Sequence, residues 1–453
     1  MELISPTDSM FLLAESREHP MHVGGLQLFE PPEGAGPDFI REIYAILLSY
    51  QDVQPTFRKH PGELFGGIAN LTWALDRDID LEYHLRRSAL PSPGRIRELL
   101  ELTSRLHGSL LDRHRPLWET HLVEGLNDGR FAVYTKVHHA LLDGVSAMKL
   151  MRRSLSDDPQ NTELEAPWSI GPRKRSKAKK RSSPLGELVK VAGAVAGLGP
   201  SALTIARGAL LEQQLTLPFS APKTMFNVPI GGARRCAAQS WPIKRVIAVK
   251  DAAGVTLNDV VLAMCAGALR AYLLELNALP DRALVAMVPV SLRGEDDTSS
   301  GGNSVGAILC SLATDLDDPA QRLDTIHASM RGNKEVFTQL PKLQQLALSA
   351  FNMAPLTLAL LPPLAKAAQP PFNIVISNVP GAREPLYWRG ARLDGNYPMS
   401  IALDGQALNI TLSNNADNLD FGLVGCRRSV PHLQRLLGHL EDSLTGLEEA
   451  VGV

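Results

Sequence analysis

The chain has 453 residues, is 44% hydrophobic and 21% charged, and carries a formal net charge of −2. That length exceeds the usual reach of one hydrophobic core, so two domains or one double-lobed domain is expected. The near-neutral charge supplies no global field for nucleic acid, and any attraction to anions has to be local.

The N-terminus, "MELISPTDSM", lacks the basic and apolar regions of a signal peptide. An uninterrupted apolar run of ~18 residues is also lacking, so a spanning helix is not expected. The sequence therefore predicts a cytoplasmic chain, with contact against a membrane surface left open. "MHVGGLQLFE" (21–30) reads as a strand. "PGRIRELLELTSRLHGSLLD" reads as an amphipathic helix with proline at its start and a stripe of Ile96, Leu99, Leu100, Leu106 and Leu110. In "RFAVYTKVHH" the residues Phe131, Val133, Thr135, Val137 and His139 fall on one face of a strand. "DGVSAMKLMRRSL" follows as a helix, with Val145, Met148, Met151 and Leu155 at helical spacing.

Composition shifts near residue 157. The polar, proline-bearing stretch that follows ends in the basic run Arg173 to Arg181 and reads as an exposed linker. A solvated linker is the simplest reading of that run; a patch for phospholipid headgroups or coenzyme phosphates is the other. Residues 185–215 are small, apolar and helical in pattern. The division predicted is an N-terminal lobe over 1–157, a linker over 158–219 and a C-terminal lobe over 220–453.

In the second half, "TLNDVVLAMCAGALRAYLLEL" reads as a long helix capped by Thr256. "ALVAMVPVSLR" and "PPFNIVISNVPG" read as strands, and "LNITLSN" and "LDFGLVGCRR" as paired strands joined by "NADN". "VPHLQRLLGHLEDSLTGLEEA" is an amphipathic helix. Residues 343–366 form a second apolar stretch, broken by Pro355, Pro362 and Pro363. The cysteines, Cys236, Cys265, Cys310 and Cys426, form no CxxC pair, so neither a structural zinc site nor a disulfide framework is suggested. Both halves mix strands and helices, which predicts two related α/β lobes meeting at a cleft.

The stretch "KVHHALLDGVSA" raises the chemical question. His139 ends a strand and Asp143 begins a helix, and such corners bring side chains to a cleft. Three readings compete. The first is a core histidine beside an aspartate that caps the helix. The second is a metal site of His138, His139 and Asp143, which the opposite directions of adjacent strand residues oppose. The third is a neutral imidazole acting as general base on a hydroxyl near pH 7. Gly144 would permit a tight turn or close backbone approach.

"HHALLDG" resembles the HHxxxDG motif of the chloramphenicol acetyltransferase-like superfamily, which includes peptide-forming condensation domains. "SPTDSMFLLAE", "PMHVGGLQLF", "RPLWE", "LNDVVLA", "VPVSLR" and "ISNVPG" fall in the family's expected order over essentially the whole chain. Together they resemble the bacterial wax ester synthase/diacylglycerol acyltransferase family. The resemblance implies an α/β fold of two acyltransferase lobes with the active site in a channel between them. It implies direct transfer of a long-chain acyl group from acyl-CoA to a long-chain alcohol, with side activity on diacylglycerol. No cofactor is implied, since the coenzyme A thioester enters as substrate, and a peripheral site on the inner membrane or lipid inclusions is expected. The alternatives are a carrier-dependent condensation-type acyltransferase and a non-catalytic droplet-binding protein.

Carried over residue by residue, His139 would be the base and His138 structural. Asp143 would hold the corner through Arg293. Asn258 would polarise the thioester carbonyl or orient the acceptor, a donor worth about 3 kcal/mol; an extra helix cap is its simpler reading. Asp259 completes the Asn-Asp pair. Trp118, more readily a core residue than a stacking one, Ser377 and Asn378 are expected along the channel wall, and Asn373 is expected to be structural. The chain departs from the family pattern at Ala382, where proline is usual, and at Asn415, where tyrosine is common. Channel shape and acceptor preference are the properties those departures put in doubt.

Overall fold

The computed structural model describes residues 2–62, 72–171, 220–291, 305–339, 345 and 369–453. The basic run Arg173–Arg181, the 185–215 stretch, Arg293 and all but residue 345 of the 343–366 stretch lie outside them.

Two six-stranded sheets carry the fold. The first runs in the order Tyr387–Trp388, Ala391–Met399, His22–Glu30, Phe131–His138, Trp118–Glu124, Leu85–Ala89. The second runs Val305–Ser311, Val285–Ser291, Ile374–Ala382, Leu408–Asn415, Asn418–Cys426, Arg234–Pro242. Both are mixed: Leu85–Ala89 runs parallel to Trp118–Glu124, and Ile374–Ala382 runs parallel to both of its neighbours. A small sheet of Glu2–Leu3, Thr72–Leu75 and Lys59–Pro61 closes the N-terminal corner. The fold is thus the α/β pair of lobes expected.

Phe131–His138 lies inside the first sheet and is covered on both sides. Phe131, Val133 and Val137 join one apolar cluster, while Ala132 and Tyr134 join another beneath the helix Ile96–Gly108. The alternation in the sequence marked only the first of these faces. The helix stops at Gly108, short of Leu110, which is exposed. The buried Lys136 ammonium donates to the carbonyls of Leu106 and Ser109 at 3.1 and 2.9 Å, closing the end of that helix.

The helix Leu257–Glu275 is apolar on all sides, the pattern of a helix enclosed by protein. It packs against the helices Pro319–Gln339 and Arg435–Val451 in the core of the second lobe. Among the described helices it alone is long and apolar enough to cross a membrane, and 67% of its apolar window is buried in the protein. Thr256 caps it as predicted: the Thr256 hydroxyl accepts the Asp259 N–H at 3.2 Å, and the Asp259 carboxylate accepts the Thr256 N–H at 2.9 Å. All four cysteines are free and buried.

Two features depart from the sequence reading. Part of the stretch read as an exposed linker folds back: Leu164, Ala166 and Trp168 are buried, and Trp168 stacks on Trp118 with ring centroids 5.1 Å apart. Three alternating apolar residues in polar surroundings were enough to dock it. The second concerns residues 387–399, which leave the second lobe and complete the first sheet. Ala391–Met399 pairs antiparallel with His22–Glu30, with a bulge between Leu393 and Gly395. From there Asn396 donates its N–H back to Asp420 of the second sheet at 2.6 Å.

Candidate active site

The strand Phe131–His138 ends at the predicted corner. Asp143 caps the helix Gly144–Arg153, its Oδ1 accepting the Ser146 N–H at 2.7 Å. Gly144 is the first helical residue, and a Cβ there would meet no described atom within 4 Å. Neither a tight turn nor a close backbone approach calls for glycine at that point. Its missing side chain instead leaves room beside the corner. The helix packs against Ile374–Ala382 of the second sheet, so the corner sits where the lobes meet.

His139 is held at two points. Its N–H donates to the Met21 carbonyl at 2.8 Å. Its ring lies under the Phe11 ring, with centroids 4.0 Å apart and planes 19° from parallel. Its Nδ1 is buried and has no hydrogen-bond partner among the described residues. Burial pushes its pKa down to about 4, helped by His138, while Asp143 and its own backbone pull the other way. The imidazole is therefore neutral at pH 7 and able to accept a proton.

His138 is fully enclosed. The Ala140 N–H donates to its Nδ1 at 3.1 Å, which assigns the ring proton to Nε2. Nε2 faces Glu15 Oε1 at 3.3 Å. Glu15 is buried and also accepts the Met21 N–H at 3.3 Å and Arg113 Nε at 2.9 Å. Burial works to raise the Glu15 carboxyl, but its contacts with His138 and Arg113 outweigh it and hold the group below the usual range. One carboxylate thus ties His138 to the backbone that grips His139.

The Asn-Asp pair lies in the second lobe at the start of the helix Leu257–Glu275. Asp259 is buried, and besides its capping role its Oδ2 takes His327 Nδ1 at 2.8 Å. Asn258 is half-buried, and its amide makes no hydrogen bond to a described residue. No hydrogen bond or ion pair among the described residues joins this pair to the His139 corner.

Ser377 and Asn378 are half-buried on Ile374–Ala382, the strand that meets the helix Gly144–Arg153. Trp118, expected along the channel wall, lies in the core of the first lobe. Its Nε1 donates to the Phe57 carbonyl at 2.9 Å, and its ring is stacked between His84 and Trp168. Asn373 is structural, donating to the Pro222 carbonyl at 2.7 Å and accepting the Val285 N–H at 2.9 Å. The two departures from the family pattern are neighbours: Ala382 stands opposite Asn415 in the strand register.

Three residues at these sites escaped the sequence reading: Phe11, Glu15 and His327. Phe11 and Glu15 lie inside "SPTDSMFLLAE", where a buried-length aromatic and a carboxylate four residues apart were the available signal. Nothing in the sequence around His327 marks it.

Residues 4–261 match the wax ester synthase/diacylglycerol acyltransferase catalytic domain, and residues 301–448 match the family's C-terminal domain. A Mycobacterium tuberculosis H37Rv protein named "Probable diacyglycerol O-acyltransferase tgs2" is 68% identical over 100% of both chains. The solved wax ester synthase/diacylglycerol acyltransferase of Marinobacter aquaeolei VT8 is 43% identical, with a TM-score of 0.82 over 100% of both chains. The starter condensation domain of rhizomide synthetase shares the fold, at 13% identity and a TM-score of 0.55 over 100% of this chain and 94% of that one.

The fold is the two-lobed, condensation-like one, and the family matches make the chain an acyltransferase. The chain belongs to the wax ester synthase/diacylglycerol acyltransferase family.

Proposed function

We propose that the protein moves a long-chain acyl group from acyl-CoA to the hydroxyl of diacylglycerol or a long-chain alcohol, with His139 as general base. His139 takes the hydroxyl proton as the oxygen attacks the thioester carbon. The C–S bond breaks, and the proton passes from the imidazolium to the departing thiolate. The observation that carries this reading is the His139 imidazole, kept neutral by burial at the junction of the lobes. Asp143 braces the corner through its cap, with Arg293 as its charged partner. Asn258, which has no hydrogen bond to a described residue, is the candidate donor to the developing oxyanion. Ser377 and Asn378 line the acceptor path. The two lobes bind the two substrates between them, in the cytoplasm, against the inner membrane or a lipid inclusion.

The test mixes the purified protein with palmitoyl-CoA and follows thiol release, with hexadecanol or dipalmitoylglycerol as acceptor, beside His139→Ala. Release that needs an acceptor and drops to a small residual rate in the variant is the expected result, and the better acceptor names the main activity. Release without acceptor would make the protein a thioesterase. Flotation with anionic liposomes at low salt tests the peripheral placement.

A further inference from the structure

We infer that Phe11 is a positioning residue for the reaction: its ring fixes the plane of the His139 imidazole and closes one face of it. This rests on His139 being the base. The observations are geometric. The helix Pro6–Ala14 is started by Ser5, whose hydroxyl accepts the Asp8 N–H at 3.1 Å. Leu12 on that helix is buried with Leu111, Leu117 and Ala140, so the helix is seated against the turn that follows His139. Phe11 is thereby laid over the imidazole at 4.0 Å and 19°. The same segment returns through Glu15, which holds His138, and Met21, whose carbonyl takes the His139 N–H.

A ring pinned only by its backbone could still turn about its side-chain bonds, and His139 Nδ1 has no partner among the described residues to prevent that. The stacked ring supplies the missing constraint. With one face covered, the acceptor oxygen has to approach along the edge of the imidazole, in line with the lone pair that takes its proton. An aliphatic side chain would fill the space but would not define a plane.

The groups around the imidazole bear on its charge as well. His138 precedes it on the strand and opposes its protonation, and Asp143 on the following helix favours it. Asp8, on the helix of Phe11, interacts with Asp143 and is itself held above the usual carboxylate range by burial. Replacing Phe11 leaves these groups in place, so changes in geometry are read most cleanly at a fixed pH near 7.

The experiment measures kcat and KM for palmitoyl-CoA and for the better acceptor in Phe11→Ala, Phe11→Leu and Phe11→Tyr, each also made in the His139→Ala background. Phe11→Ala and Phe11→Leu should lower kcat about 10- to 100-fold with KM unchanged, the scale of a misplaced catalytic group. Phe11→Tyr should recover most of the rate. In the His139→Ala background Phe11→Ala should cause no further loss. A rise in KM at unchanged kcat would instead make Phe11 part of the substrate wall. Full activity in Phe11→Leu would reduce it to packing, and an equal loss without His139 would show that it acts elsewhere. If Phe11→Ala fails to fold, the Leu and Tyr variants carry the same comparison. Unchanged activity in His139→Ala alone would overturn the base reading, a result separate from any of these.

Discussion

Glu15 and His138 face each other at 3.3 Å, 123 positions apart in the chain and both cut off from water. The carboxylate also takes Arg113 and the Met21 N–H, so its loss would release three partners at once. Glu15→Gln should cost about 2 kcal/mol at pH 7 and lower kcat about 10-fold by loosening the His139 backbone. Because the folded pKa of Glu15 lies below its unfolded value, its contribution is present above pH 4.5 and is lost as the pH falls through the folded value. The difference between wild-type and Glu15→Gln urea midpoints should therefore shrink in acid.

His139 governs a second pH dependence. With its pKa pushed down to about 4, kcat/KM should stay flat down to about pH 5 and fall below it. A limb centred at 6.5 would contradict the burial. His107 is also pushed down to about 4, by burial first, with Arg234 and Lys136 adding to it. The unfolded chain binds these two protons near pH 6.5, so stability is complete above that pH and falls through the window from 6.5 to about 4. Each group is worth about 3 kcal/mol across it. Thermal melts from pH 8 to pH 4 should show the decline, and His107→Gln should make it shallower.

Asp143 separates capping from charge. Asp143→Asn keeps an acceptor for the Ser146 N–H and should hold the melting temperature near the wild type, whereas Asp143→Ala should cost about 1 kcal/mol. If Asn also lowers kcat, the carboxylate charge matters beyond the cap, as a partnership with Arg293 requires. Thermal melts beside steady-state rates on the two variants make the distinction.

Asp259 and His327 form the matching pair in the second lobe, at 2.8 Å. His327→Ala leaves the buried carboxylate with its capping bond alone and should cost about 1–3 kcal/mol. The Asp259→Ala and His327→Ala effects should be strongly non-additive in a double-mutant cycle. Additive effects would mean that the two side chains act apart.

Gly381 immediately precedes Ala382, the first of the two departures from the family pattern, and packs against the strand that carries the second. A Cβ there would come within 1.9 Å of the Asn414 carbonyl oxygen. Gly381→Ala should break the pairing of Ala382 with Asn415 and abolish soluble expression or activity, whereas Asn415→Ser should leave the protein folded. Solubility and circular dichroism of the two variants are the check.

Local chemistry made the corner readable from sequence. A strand ending at the histidine pair, a capping aspartate and a following amphipathic helix each obey short-range rules, and so does the Thr256 cap. The residues that hold the corner do not. Glu15 reaches His138 and His327 reaches Asp259 across the fold, and no periodicity encodes such encounters. The strand Ala391–Met399 did offer a signal, since Ala391, Leu393, Gly395 and Tyr397 are buried in alternation. Its glycine and proline masked that pattern, and its partner strand lies more than 300 residues earlier.

That strand sets how the molecule can open. Parting the lobes like a clamshell would require stripping Ala391–Met399 from His22–Glu30 along most of its length. Short of that, widening the gap between the sheets bends the two peptide links that enter and leave the strand and breaks cross-lobe hydrogen bonds such as that from the Cys236 N–H to the Ser104 hydroxyl. On the function proposed above, an ester product would leave by sliding along the gap, and turnover should slow as its chains lengthen.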